Sequence, residues 1–366
     1  MGWTRKFFDQ WEWYHKPVSP MEETLLLPEH INQALSLISR RLGVKFPPQE
    51  KTWKVIDGYL YFTDKYWKLF LQIGIFLLPF RFFQQLPKAK YDWLNEVLPS
   101  YQKKIDDLRK INLDNYKGKE LIELLKDTVK TEGKLMAESV YTVLYAIFSE
   151  ISLKIAYWVL IKDKNPLNYH ELLIGYPDRG IKSDIRLWEI AQIKNKIEQD
   201  KLLHEWLEEY GYRIQDKDIS YPTLGENIET VKTLLNIYKD SPNPQERVKI
   251  SQTRREARER YVKENLLPFT EFIFTKIKGS AQEYAQIRNS RPYYYQGNQI
   301  IRKILLILAG RIPKFNEPKD IFFLYLDELE IALNGGEVKK LKEEIVKRKI
   351  LYEKRLSEEP QLIKNE

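Results

Sequence analysis

No cysteine occurs in the 366 residues. That excludes a disulfide scaffold, a thiolate nucleophile, a Cys-ligated zinc and an iron–sulfur cluster. Histidine is nearly as scarce. His15, His30, His170 and His204 are the only four, and none stands in an HExxH arrangement. No Ser-His-Asp or Cys-His signature, deaminase motif or glycine-rich dinucleotide turn is found. Charge of one sign is not in large excess: 60 cations against 52 anions leave +8, a mild bias that suits mixed solvated faces better than a polyanion-binding surface. Long apolar runs free of charge are missing too. Leu69 to Phe80 covers only 12 residues, includes Gln72 and Pro79, and is fenced by Lys68 and Arg81. A span needs about 20 apolar residues, so this run reads as a buried helix, with interfacial docking through Trp67, Phe82 and Phe83 as the alternative. The first residues carry no apolar stretch of the signal-peptide kind, and a cytoplasmic location is expected.

Helical periodicity dominates what is there. Pro28 to Leu42 places Ile31, Leu35, Ile38 and Leu42 on one face, with Gly43 in the C-cap position. Trp53 to Phe62 changes character: aromatic and β-branched residues flank Asp57-Gly58, a strong hairpin signal. Long helical stretches follow Trp93, and Val140 to Ile161, apolar nearly all round, predicts a central buried helix. A loop-rich middle is expected from Gly175 to about Gly225, a linker at Ser241-Pro242-Asn243-Pro244, a helix from Glu246 to Leu267, and a hinge at Gly279 before a long helix to Gly310. Val338 to Arg355 is a charged amphipathic helix. The fold class is therefore mainly α: a multi-helix, bundle-like body with one small β-hairpin near residues 53–62. Three segments are expected, 1–66, 67–240 and 245–366.

Gly175 to Ser183 imitates a phosphate loop, but Ile181 separates Gly180 from Lys182 and no strand precedes it. Arg247 to Lys263 holds seven cations and two anions, with Glu256–Arg260 and Glu259–Lys263 spaced for helical ion pairs, and reads as a solvated face. Arg291-Pro292-Tyr293-Tyr294-Tyr295 is unusual, because three successive tyrosines cannot all face one core. A tyrosine-lined pocket with Arg288 and Arg291 beside it is one reading, a core-and-rim position the other. Glu208 to Arg213 and Asp216-Lys217-Asp218 gather charge in the irregular middle, where loops on a helical scaffold tend to carry sites or structural ion pairs.

Several stretches resemble, in order, the middle region of the phosphoenolpyruvate-synthase-like phosphotransferases, including the rifampicin phosphotransferase group. Lys16-Pro17-Val18-Ser19-Pro20-Met21 is similar to "PGPVTPL", and Val55 to Tyr61 to "V-x-x-x-G-R-x-Y". Leu172 to Gly175, with Lys182 to Ile185, resembles "LL-x-GL…TTEM". Glu208 to Arg213 with Asp218-Ile219-Ser220 resembles "EYGHRGPGEIDLA". Tyr284 to Arg288 and Ile301-Arg302-Lys303 are similar to "LRE…IRR", and Asp320 to Leu329 to "EDIFYLTLDEL". The resemblance covers about residues 16–360.

In that family an ATP-grasp domain splits ATP, a swivelling domain carries a phosphohistidine, and the region resembled here lies between them and helps bind the acceptor. This chain has no stretch similar to either of the other two, so the resemblance implies a subunit that is not catalytic alone. It would work with separate ATP-grasp and phosphohistidine chains, ATP and Mg being bound by a partner, as the related three-subunit phenylphosphate synthase suggests. Arg213, Arg288 and Arg291 are then the candidates for phosphate contact, and Tyr212, Tyr293, Tyr294 and Tyr295 for an aromatic acceptor pocket. The family's "YGHR" histidine is Tyr212 here, the glutamate of "GEID" falls at Lys217, and the "RPRW" arginines have no match in Ser220 to Thr223. Those departures favour a second reading, a non-enzymatic protein that keeps the fold and binds a small molecule or a protein. A basic nucleic-acid or membrane-surface protein is a third.

Overall fold

A computed structural model describes residues 2–5, 14–43, 45–63, 78–161, 163–214, 216–313, 315, 317–336 and 338–365, without the side chains of 78–84, 293 and 365. Most of the Leu69–Phe80 run, and the side chain of Tyr293, lie outside this description.

The expected fold class is the one that forms: mainly helical, with a small antiparallel sheet. Strands β1 (Gly2–Thr4), β2 (Trp53–Ile56), β3 (Tyr59–Thr63) and β4 (Ile363–Asn365) align in the order β2-β3-β1-β4. Asp57 and Gly58, at φ 50 and 76, make the two-residue β2–β3 turn, both in the left-handed region such a turn requires. The hairpin expected from the sequence is thus the nucleus of a sheet that joins both ends of the described chain.

Helix α1 (Leu27–Leu42) continues a short π-helical turn, Glu22–Leu26, and ends at Gly43, whose φ of 74 is the left-handed C-cap expected there. Its buried side is centred on His30, Ala34, Leu37 and Ile38, so Ile31 and Leu35 lie at the edge of the face rather than its middle. After α2 (Leu78–Asp92) and α3 (Leu98–Arg109), a 44-residue helix, α4 (Gly118–Ile161), runs through the body. Helices α5 (Arg179–Ala191) and α6 (Lys196–Tyr210) occupy most of the region expected as loop, capped by the side chains of Asp178 and Asn195. Among the described residues there, 175–178, 192–195, 211–214 and those from 216 on stay irregular. Helices α7 (Ile228–Lys239), α8 (Pro244–Asn265), α9 (Pro268–Ser290), α10 (Gly297–Gly310), α11 (Leu326–Leu333) and α12 (Val338–Leu356) follow. Helix α9 runs through Gly279 without a break, and the change of direction comes at Arg291–Tyr294 instead.

The main core packs α1, α9 and α10 around α4, with Leu121, Leu125, Tyr145, Ile301, Ile304, Leu305 and Leu308 fully enclosed. Buried residues of this one cluster come from all three expected segments. A second cluster joins the C-terminal half of α4 to α8 and α9, and a third sits among α5, α6 and α7. The C-terminal half of α4 is less buried than its composition predicts: Ile151, Ile155, Trp158 and Val159 are exposed.

The basic window lies on α8, but not as a freely solvated face. Arg258 reaches inward to Asp163 (2.9 Å) and Glu171 (2.7 Å), and Arg255 stacks 3.9 Å above the Tyr176 ring while donating to the Ile174 carbonyl. Glu259 bonds Lys278 (3.1 Å) and Gln282 (3.0 Å) of α9, and Glu256 accepts from Gln252. Of the helical pairs expected at Glu256–Arg260 and Glu259–Lys263, Glu259 turns instead to α9, while Glu256 is bonded by Gln252 of its own helix.

Candidate ligand-binding cleft

The irregular segment 211–227 is fastened to the body by a buried polar clamp. Asp218, fully enclosed by burial, accepts from the Ser19 amide (2.5 Å), the Ser19 hydroxyl (2.8 Å) and the Ser220 amide (2.7 Å). Glu22 accepts from the Tyr14 hydroxyl (2.8 Å) and the Ile219 amide (3.0 Å). Burial, with Asp218 close by, pushes the Glu22 carboxyl well above its ordinary range, and burial raises Asp218 as well. From α10, Arg302 forks onto Glu226 (2.8 and 2.6 Å) and donates to the Ile219 carbonyl.

This clamp sets Tyr212, Arg213, Ile214, Asp216 and Lys217 along one wall of a cleft of about 340 Å³. The opposite wall comes from the Tyr14–Lys16 segment, His30 of α1, Glu132 and Met136 of α4, and Pro292, Tyr295 and Asn298 ahead of and within α10. Tyr14 holds a φ of 54, a strained conformation for a bulky residue, and is gripped at its carbonyl by Arg5 (2.8 Å) and at its hydroxyl by Glu22.

Four buried polar atoms on three residues of this lining have no hydrogen-bond partner in the protein: both ring nitrogens of His30, Oε2 of Glu132 and Oδ1 of Asn298. Buried polar groups are nearly always paired, so unsatisfied ones facing a cavity mark a place for a ligand or water. Burial, aided by the Lys217 charge, lowers the His30 pKa to about 4, so the ring is neutral at pH 7. Burial pushes the Glu132 carboxyl up to about 7, although the Tyr101 hydroxyl (2.8 Å) and the amides at the start of α10 favour its charged form. Glu132 thereby caps α10. Gly297 leaves room for it, since a Cβ at that position would come within 2.5 Å of Glu132 Oε1. Gly297→Ala is expected to destabilise the fold by about 1–3 kcal/mol in urea titrations; an unchanged midpoint would show that the cap has slack.

Of the residues singled out by sequence, Tyr212, Arg213 and Tyr295 meet in this cleft. Tyr212 is almost wholly buried and Tyr295 nearly so, and burial pushes both hydroxyls up to about 12. Tyr295 donates to Ser139 (2.6 Å). Arg291 is buried beside Pro292, close enough to temper the Tyr295 shift. Arg288 does not line the cleft; it pairs with Glu150 of α4 at 3.1 Å. Tyr294 lies edge-on to Trp93, under the Arg179 guanidinium, in a core-and-rim position.

Sequence reasoning missed His30, Glu132, Asn298 and Met136. A signal was present for two of them. His30 stands on the apolar stripe Leu27, His30, Ala34, Leu37, and Glu132 on Leu125, Val129, Glu132, Met136. A polar residue on a core stripe is the kind of exception that a site explains. Among the described residues no three His, Asp or Glu side chains gather to hold a metal ion. No family model and no curated protein matches the chain.

Proposed function

We propose that this chain is the acceptor-binding subunit of a split, dikinase-like phosphotransferase, with its acceptor held in the 340 Å³ cleft. The observation that carries the reading is convergence: Tyr212 and Arg213 from one segment and Tyr295 from another, 82 positions away, line the same cavity as the unsatisfied His30 and Glu132. The resemblance gains support from packing. The stretches at 16–21, 218–220 and 301–303 are far apart in sequence yet meet at the Ser19–Asp218 and Arg302–Ile219 contacts. Phosphoryl transfer asks mainly for positioning and charge stabilisation, which Arg213 and Lys217 supply here, while ATP, Mg and the phosphohistidine belong to partner chains.

Purification of the tagged chain from its native source is expected to recover an ATP-grasp chain and a phosphohistidine chain. In the reconstituted complex, Arg213→Ala should slow acceptor-dependent label transfer from ATP about tenfold or more, whereas Arg288→Ala should leave it unchanged. Recovery of the chain alone under gentle salt would end the subunit reading.

One observation favours a solitary binding protein. Tyr212, at the position of the family histidine, keeps its proton far above neutral pH and is sealed from solvent. Ligand binding by the isolated chain, without label transfer in any complex, is the outcome that reading requires.

A further inference from the structure

We propose that the cleft takes a zwitterionic amine, its primary ammonium bound by Glu132 and Asn298 at the α4–α10 end and its acidic group, several bonds away, at the Lys217 end. The inference rests on the reading of this cavity as the ligand site, and on nothing about partner chains. Glu132 selects the ammonium. The side chain is sealed in the body, Oε1 is engaged by the Tyr101 hydroxyl (2.8 Å) and the Asn298 amide (3.1 Å), and Oε2 has no partner. Among the described residues no lysine or arginine pairs with it, and only burial and neutral donors govern its titration. Buried carboxylates are rarely left without a cation. Oδ1 of Asn298, on the residue whose amide holds Glu132, is a second acceptor with no partner. An ammonium brings three donors and no acceptor, which suits two neighbouring acceptor oxygens. An anionic group there would be repelled.

The other end of the cleft has the opposite sign. Lys217 lies 5.6 Å from the centre of the Tyr295 ring and helps keep His30 neutral, but it is not among the groups that shift Glu132. Glu132 acts instead on the Tyr295 hydroxyl, which bonds Ser139 and Met136 of α4. The phenol of Tyr295 thus separates a carboxylate end from a cationic end. Arg213 lines the same cavity, and the acid of the rim, Asp216, is paired with Lys16 at 2.8 Å. His30, which feels Lys217, belongs to the cationic end, where its neutral ring adds an N–H donor for the ligand's acid. An α-amino acid carries both charged groups on one carbon and cannot reach both ends. A longer chain can, and a cavity of about 340 Å³ has room for one.

Titration calorimetry of the full chain with β-alanine, γ-aminobutyrate, δ-aminovalerate and ε-aminocaproate is the test. At least one should bind about tenfold or more tightly than valerate and δ-hydroxyvalerate, which lack the ammonium, and amylamine, which lacks the acid. Because the ammonium draws Glu132 into its ionised form, affinity should rise about tenfold per pH unit between about 5 and 7 and level off above. Glu132→Gln should abolish that slope and weaken binding about tenfold at neutral pH. Asn298→Ala should weaken binding with an unchanged unfolding midpoint, since its side chain bonds nothing within the protein. Binding of none of the four amines, equal affinity for δ-hydroxyvalerate, or a pH slope retained in Glu132→Gln would overturn the proposal. None of these outcomes touches the subunit reading, and recovery of the chain without partners, which would end that reading, leaves the titrations as they are.

Discussion

Exchanging Glu132 for glutamine is expected to remove a large share of the protein's loss of stability between pH 4.5 and 7. In the fold, burial holds this carboxyl protonated up to about 7, against an ordinary value of 4.5. In the unfolded chain the group ionises near its ordinary value. Within that window folding takes up a proton, so the native state is favoured fully below the lower pKa, and the contribution is lost as pH rises to about 7. A separation of about 2.5 units corresponds to roughly 3 kcal/mol. Glutamine does not titrate, and it keeps an oxygen for the Tyr101 hydroxyl and the Asn298 amide. Glu22 and Asp218, also raised by burial, act in the same direction and remain in the variant, so the difference between the two proteins isolates Glu132. Urea titrations at pH 4.5, 5.5 and 7 should show wild type losing about 3 kcal/mol more than Glu132→Gln across the range. Parallel curves would mean that Glu132 is ionised in the fold throughout. A ligand that donates to Glu132 Oε2 would change this profile, so the measurement also reports occupation of the cleft.

Arg302→Ala should cost about 3–5 kcal/mol, the largest stability effect expected of any single polar substitution here. The side chain is completely buried, its guanidinium forks onto Glu226, donates to the Ile219 carbonyl and covers the Phe322 ring at 4.6 Å. Alanine leaves a cavity, an unpaired carboxylate and a free carbonyl at once. Lysine should rescue little, because a single ammonium cannot reproduce the planar fork. The consequence reaches the cleft, since this clamp holds the segment that supplies Tyr212, Arg213 and Lys217. Limited proteolysis should therefore cut within residues 211–227 of the variant at protease levels that leave wild type intact. A loss below about 1 kcal/mol would show that the segment is held chiefly by the Ser19–Asp218 and Glu22–Ile219 contacts.

Tyr295 could be chosen from sequence because three tyrosines follow Pro292, whereas Tyr212 and Arg213 were chosen through the resemblance of Glu208 to Arg213 to the phosphotransferase motif. Arg288 stood just as close in sequence, but α9 continues unbroken past Gly279, and its register turns that side chain toward Glu150. Gly279 was read as a hinge because glycine costs about 1 kcal/mol inside a helix. Packing of α9 along α4 outweighs that cost, and a single residue's propensity carries no information about it. Glu259 likewise has a helical partner in reach at Lys263, yet bonds Lys278 and Gln282 on the neighbouring helix.

What the amino-acid sequence determined by itself is what local chemistry decides. The Asp57-Gly58 turn, the Gly43 cap, the helices that begin near Pro244 and Val338, and the mainly helical class all follow from periodicity and from residues that accept particular backbone angles. What only the tertiary structure decided is which polar residues meet. Ser19 and Asp218 are 199 positions apart, and Glu132 and Asn298 are 166 apart. Periodicity states which side of a helix faces inward, but not which neighbour waits there. A buried carboxylate's pKa, and an unsatisfied histidine at the wall of a cleft, are set by that neighbour and by the water it excludes.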